Sequence, residues 1–316
     1  MTTPFRGSES GVSRGLLRGR GYQRLGQDLY ALADADLDLG ARVDAALLVF
    51  PEAVPCLLTS ALLLKLPVDD DEVVHLDRGP HAARSRRDGV KVHRLGIPRE
   101  QQIQAAGRWI ADGPRTLADL SAHLNLEELV AVGDVVARRW KPADIDRAVE
   151  LHGKRRGAVL LSQAVPLLDK GADSPAESRA RLRVHAAGFT RMRHKVVVRD
   201  VGGGWLGEPD LADEEAKVGI QHEGAIHFLK GAKQRRKDVG RDELMRAEDW
   251  DIVISTAEDD AKPELLVRKL VRAYLRQARL LGDDILPDFL RESRVAERLV
   301  LAPDPNRRAT LDGTDA

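Results

Sequence analysis

Sulfur chemistry is almost absent from the 316 residues: Cys56 is the one cysteine. Disulfide frameworks and cysteine-based zinc sites are therefore excluded within one chain. Cys56 stands in the apolar stretch VPCLLTSALLLKL, where a buried, inert thiol is expected. Aromatic residues are scarce at 4%, while Ala, Leu, Val and Arg are abundant, a bias that carries no chemistry of its own. No run approaches the ~18 uninterrupted apolar residues of a membrane span. The opening MTTPFRGSESGVSRG has no apolar core of the kind a secretion signal needs, so a cytoplasmic protein with no membrane partner is expected. Net charge is missing too. Lys plus Arg number 50 and Asp plus Glu number 50, so evidence for a nucleic-acid partner has to be local.

Local charge is present. Between Arg179 and Arg199 there are seven Arg or Lys and no acid, among them Arg179, Arg183, Arg193 and Lys195. Lys230, Lys233, Arg235, Arg236 and Lys237 form a second group. Each cluster fits either a solvated face or a phosphate-contacting surface.

The length exceeds the usual single-domain size, so two domains are expected. Residues 1–35 are short, polar and glycine-punctuated, with one short helix at most. Residues 37–66 carry two helical patterns separated by Pro51 and Pro55. The β-like runs EVVHLD and VKVHRL follow, and His75 and His93 at their centres would face each other across a hairpin, with no carboxylate or third histidine to complete a site. Leu117, Leu120, Leu124, Leu129, Val132, Val135 and Val136 recur at helical spacing. Two more helices are expected over 141–172, one begun by Pro142 and the other closed by Gly171.

From Ser174 onward the periodicities read helix (175–187), strand (192–200), a Gly202–Gly204 turn, strand (205–212), strand (216–223), helix (229–247), strand (250–257) and helix (263–280). A tail from Asp283 is expected to be helical and then disordered. Within this order EPDLADEEAKVGIQHEGAIHF places Pro209-Asp210 one strand before Gln221 and Glu223, which alternation puts on one face. Asp210, on the preceding strand of a hairpin, would join them.

These blocks, with SPAESRARLRVHAAGF and RRKDVGRDELMRAEDWDIV, make residues 173–281 resemble the Vsr-like endonuclease domains of the PD-(D/E)XK superfamily. The resemblance implies an α/β chain with a C-terminal αβββαβ, restriction-endonuclease-like core. More faintly, Arg24, Gly26 and Tyr30 resemble the end of a winged-helix unit in AbiEi-type antitoxin proteins, here truncated. Residues 36–140 would be the accompanying mainly helical α+β domain, in which the run Arg115, Thr116, Asp119 and Leu120 is structural.

What the resemblance implies for chemistry is metal-dependent cleavage of DNA. Asp210 and Glu223, with the carbonyl oxygen of Gln221, would hold Mg²⁺ or Mn²⁺. Glu177 would orient water and His227 would act as base or phosphate contact. Arg179, Arg183, Arg193, Lys195, Lys233, Arg235, Arg236, Lys237 and Arg241 would contact DNA, with Asp238 and Trp250 in support. Relatives carry an acid where this chain has Gln221, which lowers the charge of the metal shell. The alternative is a DNA-binding protein of antitoxin or regulator type without catalysis. Whether the chain forms a homo-oligomer is left open.

Overall fold

The structure, a computed structural model, describes residues 4–83, 86–223 and 244–292. It divides into two units, Met1–Lys170 and Gly171–Ala316, on a mixed α/β plan with several small sheets. Among the described residues no helix is long and apolar enough to cross a membrane.

The first unit opens with β1 (Phe5–Arg6), α1 (Arg14–Leu17), β2 (Tyr22–Gly26) and β3 (Leu29–Leu32), the strands ordered β1-β3-β2. Next come α2 (Leu39–Val49), β4 (Val54–Pro55), α3 (Leu57–Leu63), β5 (Val74–Asp77), β6 (Arg86–Arg87) and β7 (Val90–His93). Cys56 is buried, and burial pushes its thiol up, as an inert thiol requires. The expected hairpin between the two histidine-bearing runs does not form, because β5 and β7 are parallel. Asp88-Gly89, with Gly89 at φ +71°, closes β6 onto β7 instead, which leaves β5 the other edge of β7.

The unit continues through β8 (Gln102–Ala105), β9 (Arg108–Ala111), α4 (Gly113–Leu120), α5 (Leu126–Arg139), α6 (Pro142–His152) and α7 (Ala158–Ala164). The helical apolar stripe is buried at Leu117, Leu120, Leu129, Val132 and Val136. Arg115 donates from Nε to Asp119 Oδ2 at 2.7 Å and from Nη1 to Gln101 Oε1 at 2.8 Å, all three buried, so this run is structural. Gly171 does not close the last helix. The α-helix ends at Ala164 and gives way to a 3-10 turn over Val165–Leu167, where Pro166 has no N–H to continue the ladder.

The second unit runs α8 (Pro175–Ala186), β10 (Val198–Arg199), β11 (Trp205–Gly207), β12 (Leu211–Asp213), β13 (Val218–Glu223), β14 (Asp251–Thr256), α9 (Ala257–Ala261), α10 (Pro263–Leu281) and α11 (Asp288–Glu292). The central sheet is ordered β12-β13-β14, antiparallel and then parallel. Its two faces are both buried. Val218, Ile220 and Val253 pack with Val184, Phe189, Leu270 and Tyr274 on one side. Ala212 and Ile252 pack with Val198, Leu206, Met245 and Trp250 on the other, so Trp250 is a core residue as expected.

Two expected strands are shorter than their patterns. Residues 192–200 pair only at Val198–Arg199 and through a bridge from Arg193 to Ala212. Residues 205–212 break at Glu208-Pro209, where proline cannot donate to a ladder. The expected helix over 229–247 falls mostly outside the described residues; 244–247 are helical. The described start of the tail is helical, as expected, and it packs on the core: Leu286 and Leu290 are buried and Phe289 meets Phe189 edge-on at 5.1 Å.

Candidate functional site

Register brings Asp210 to Gln221. The pair Leu211↔Ile220 sets Asp210, one residue before β12, beside Gln221 on β13. Asp210 Oδ2 accepts from the His222 backbone N–H at 2.6 Å and from Gln221 Nε2 at 3.1 Å. Gly219 lies on the same face as Gln221. A Cβ there would sit 2.8 Å from Ile252 Cδ1 and 3.0 Å from Pro209 Cγ, so a residue without a side chain lets the Pro209 elbow rest on the sheet. Of Glu223 only the strand position is described, paired with Thr256; strand alternation shares its face with Gln221.

Asp210 is poorly solvated. Burial pushes its carboxyl above the ordinary range, the His222 N–H pulls it back, and the charge of Glu177 raises it again. Glu177 is thus close enough to be felt, yet both its oxygens serve the start of α8. They accept from Ser174 Oγ at 2.8 Å and from the Asp173 N–H at 2.8 Å, while Ser174 caps the helix by accepting from the Glu177 N–H.

Two histidines at this site were not singled out from the sequence. His194 Nδ1 donates to the Asp210 carbonyl at 2.6 Å, which fixes the tautomer and leaves Nε2 buried with no hydrogen-bond partner among the described residues. His222 reaches Ser255 Oγ at 3.4 Å and lies 3.8 Å from Asp260. Neither has a sequence signature, because their partners come from other, sequence-distant elements. Among the described residues no group of three or more His, Cys, Asp or Glu is arranged to hold a metal ion.

The basic cluster is largely occupied. Lys195 pairs with Asp173 and with Glu208 at 3.5 Å, and Arg183 donates to the Asp260 carbonyl at 2.8 Å. Arg191 pairs with Asp213 at 2.8 Å, and Arg181 is buried. Arg179 is half-buried, and Arg193 is exposed. His227, Lys230, Lys233, Arg235, Arg236, Lys237, Asp238 and Arg241 lie outside the described residues.

In the first unit a carboxylate does join the histidine pair. His75 Nε2 bonds Asp71 Oδ2 at 3.0 Å and His75 Nδ1 bonds His93 Nε2 at 3.0 Å. The ring centroids are 5.1 Å apart while the facing nitrogens are only 3.0 Å apart, so the near-parallel rings meet edge to edge through a hydrogen bond. Burial, with the charges of His75, Lys91 and His123, pushes His93 down to about 4. A carboxylate oxygen accepts, so His75 Nε2 donates to Asp71.

The fold and the site define a mixed α/β protein with a half-buried acid beside an amide of the central strand. The uncharacterized protein Rv2248 of Mycobacterium tuberculosis (strain ATCC 25618 / H37Rv) is similar to it, being 25% identical over 267 residues, 83% of this chain and 95% of that protein. The uncharacterized protein MT2308 of the CDC 1551 / Oshkosh strain shows the same identity and coverage. No family model matches the chain.

Burial of Asp210 has a stability consequence. Its folded pKa lies above its unfolded value, so the penalty for keeping it ionised is absent below about pH 4 and complete once the pH exceeds the folded pKa. Asp210→Asn keeps an acceptor for the His222 N–H and removes the charge. The variant is expected to melt at a higher temperature than wild type at pH 7, with the gap closing toward pH 4 in thermal scans. An equal gap at both pH values would mean that ionisation of Asp210 is not its source.

Proposed function

We propose that the second unit is a DNA-binding domain of the PD-(D/E)XK nuclease type, in which Asp210, Gln221 and Glu223 would hold Mg²⁺ or Mn²⁺. The observation that carries this reading is the half-buried Asp210 carboxylate, raised by desolvation and by Glu177 and set beside Gln221 of β13. The donors fit a hard cation in kind, since all are oxygens and a partly desolvated acid gains from positive charge. Such an ion polarises a phosphate and lowers the pKa of an attacking water. The chain's own contribution is to fix Asp210 through the His222 N–H and to exclude water by packing Pro209 on Gly219.

A second reading has its own support. Gln221 Nε2 donates to Asp210. An amide in this place satisfies the acid without a cation, as expected of a DNA-binding domain that has lost its catalysis.

Gln221→Glu separates the two. It restores a carboxylate and deletes the amide donor, so the variant should bind Mn²⁺ on the order of tenfold more tightly, because ligand charge tunes affinity at oxygen sites. It should also melt lower than wild type without metal and recover with it. Titration calorimetry and melting with and without Mn²⁺ read both effects, and plasmid nicking reads activity. If the variant binds Mn²⁺ no better than wild type, the metal-site reading gives way to the non-catalytic one.

A further inference from the structure

The β10–β11 ribbon is built to display what a soluble surface normally hides. Its root is fixed: Val198 and Leu206 are buried with Met245 and Trp250, and a Cβ at Gly207 would meet Met245 Sδ at 2.9 Å. Its turn is fixed as well. Asp200 Oδ1 accepts from the N–H groups of Gly202 at 2.8 Å and Gly204 at 2.7 Å, and Gly203 takes φ +81°, a conformation that suits glycine. The Asp200 N–H donates to the Gly204 carbonyl at 2.9 Å, and Arg199 Nη1 donates to the Gly203 carbonyl at 3.0 Å. On this rigid mount Val201 is 98% exposed and Trp205 52%. Arg199 is exposed and stands directly across from Trp205 in the register.

Charge selects the partner. The one acid of the ribbon, Asp200, has an oxygen taken up by its own turn, and Glu208 at the base is paired with Lys195. Arg199 and the nearby Arg193 are exposed. An aromatic ring opposite an arginine, with an apolar tip beyond, suits a duplex groove, since apolar side chains meet thymine methyl groups at the base edges and guanidinium groups pair with phosphate. A two-stranded ribbon also fits the major groove in width.

We propose that this ribbon is a contact element for duplex DNA, in which Val201 probes the groove, Trp205 packs on bases or sugars, and Arg199 pairs with backbone phosphate. The inference rests on the reading of the second unit as a DNA-binding domain. It adds a surface made of residues other than the metal-ligand set and independent of whether the chain cuts.

The test uses the full-length protein, a fluorescein-labelled DNA duplex read by anisotropy over a salt series, and the variants Val201→Ser, Trp205→Leu and Arg199→Ala. Val201 is so exposed that its replacement leaves melting unchanged, which keeps at least one variant free of folding effects. Val201→Ser and Trp205→Leu should each weaken binding severalfold, through lost apolar contact in the groove. Arg199→Ala should lower the salt slope by about one. If wild type binds and all three variants match it, the ribbon is not the contact element while the DNA-binding reading stands. If wild type binds no duplex at any salt, that reading falls and takes the ribbon with it. Should sedimentation show that wild type self-associates and that Val201→Ser does so less, with DNA binding unaltered, the ribbon's occupant is a second copy and the proposal is overturned.

Discussion

Asp213→Ala is expected to destabilise the second unit by about 2–5 kcal/mol, because it strands donors that have nowhere else to turn. Asp213 is 1% exposed. Its Oδ2 accepts from Tyr274 OH at 2.7 Å and Arg191 Nε at 2.8 Å, and its Oδ1 accepts from the Ala216 N–H at 3.2 Å. Tyr274 is fully buried against Phe189, and burial with the neighbouring Asp213 charge holds its hydroxyl above the usual phenol range. Arg191 is partly solvated and keeps Glu215 at 3.4 Å, so little of the loss comes from the ion pair. The Tyr274 hydroxyl and the Ala216 N–H carry most of it. Tyr274→Phe, which removes one bond together with its donor, should cost only about 1 kcal/mol. Hydrogen exchange at β13 and β14 in urea reports this unit apart from the other. Equal protection in wild type and Asp213→Ala would show that the network is not what holds these strands.

The second large effect concerns activity. Asp210→Ala should lower metal-dependent nicking of plasmid DNA on the order of a hundredfold or more, since it deletes the one carboxylate described at the proposed metal position. Salt-sensitive DNA binding should survive, because phosphate contacts are made by other groups. Glu177→Gln is expected to do far less to cutting, as the Glu177 oxygens are committed to Ser174 and the Asp173 N–H. Cleavage by Asp210→Ala at the wild-type rate would remove the site from the chemistry. DNA binding with no cutting by either protein would move the non-catalytic reading to first place.

Much of the second unit could be read directly because its signals are local. Alternation in VGIQHE and the proline-led helix from Pro263 fall where periodicity puts them, and the Asp210–Gln221 meeting follows from a short hairpin of fixed register. What escaped is what depends on distant partners. Nothing near His194 in sequence announces the Asp210 carbonyl, and nothing in the cationic run reveals that Lys195 and Arg191 are matched to Asp173 and Asp213. The histidine pair failed for a related reason. Asp71 lies only four residues from His75, but its role appears once β5 pairs in parallel with β7 and turns that imidazole toward both partners. The packing of the tail's start also went unread, because polar and charged neighbours conceal three apolar residues at helical spacing, Ile285, Leu286 and Phe289, packed with or against the core.

Gly219 acts as the site's caliper. It contributes no functional atom, yet the clearance it leaves under Pro209 fixes how far the Asp210 arm can swing toward Gln221. A methyl group at that position would lift the elbow by a few tenths of an ångström, the same order as the difference in reach between a small divalent ion and a larger one. Were the proposed ion bound here, its preference would be set partly from beneath, by backbone clearance, and two chains with identical ligating side chains would differ in it through one methyl group.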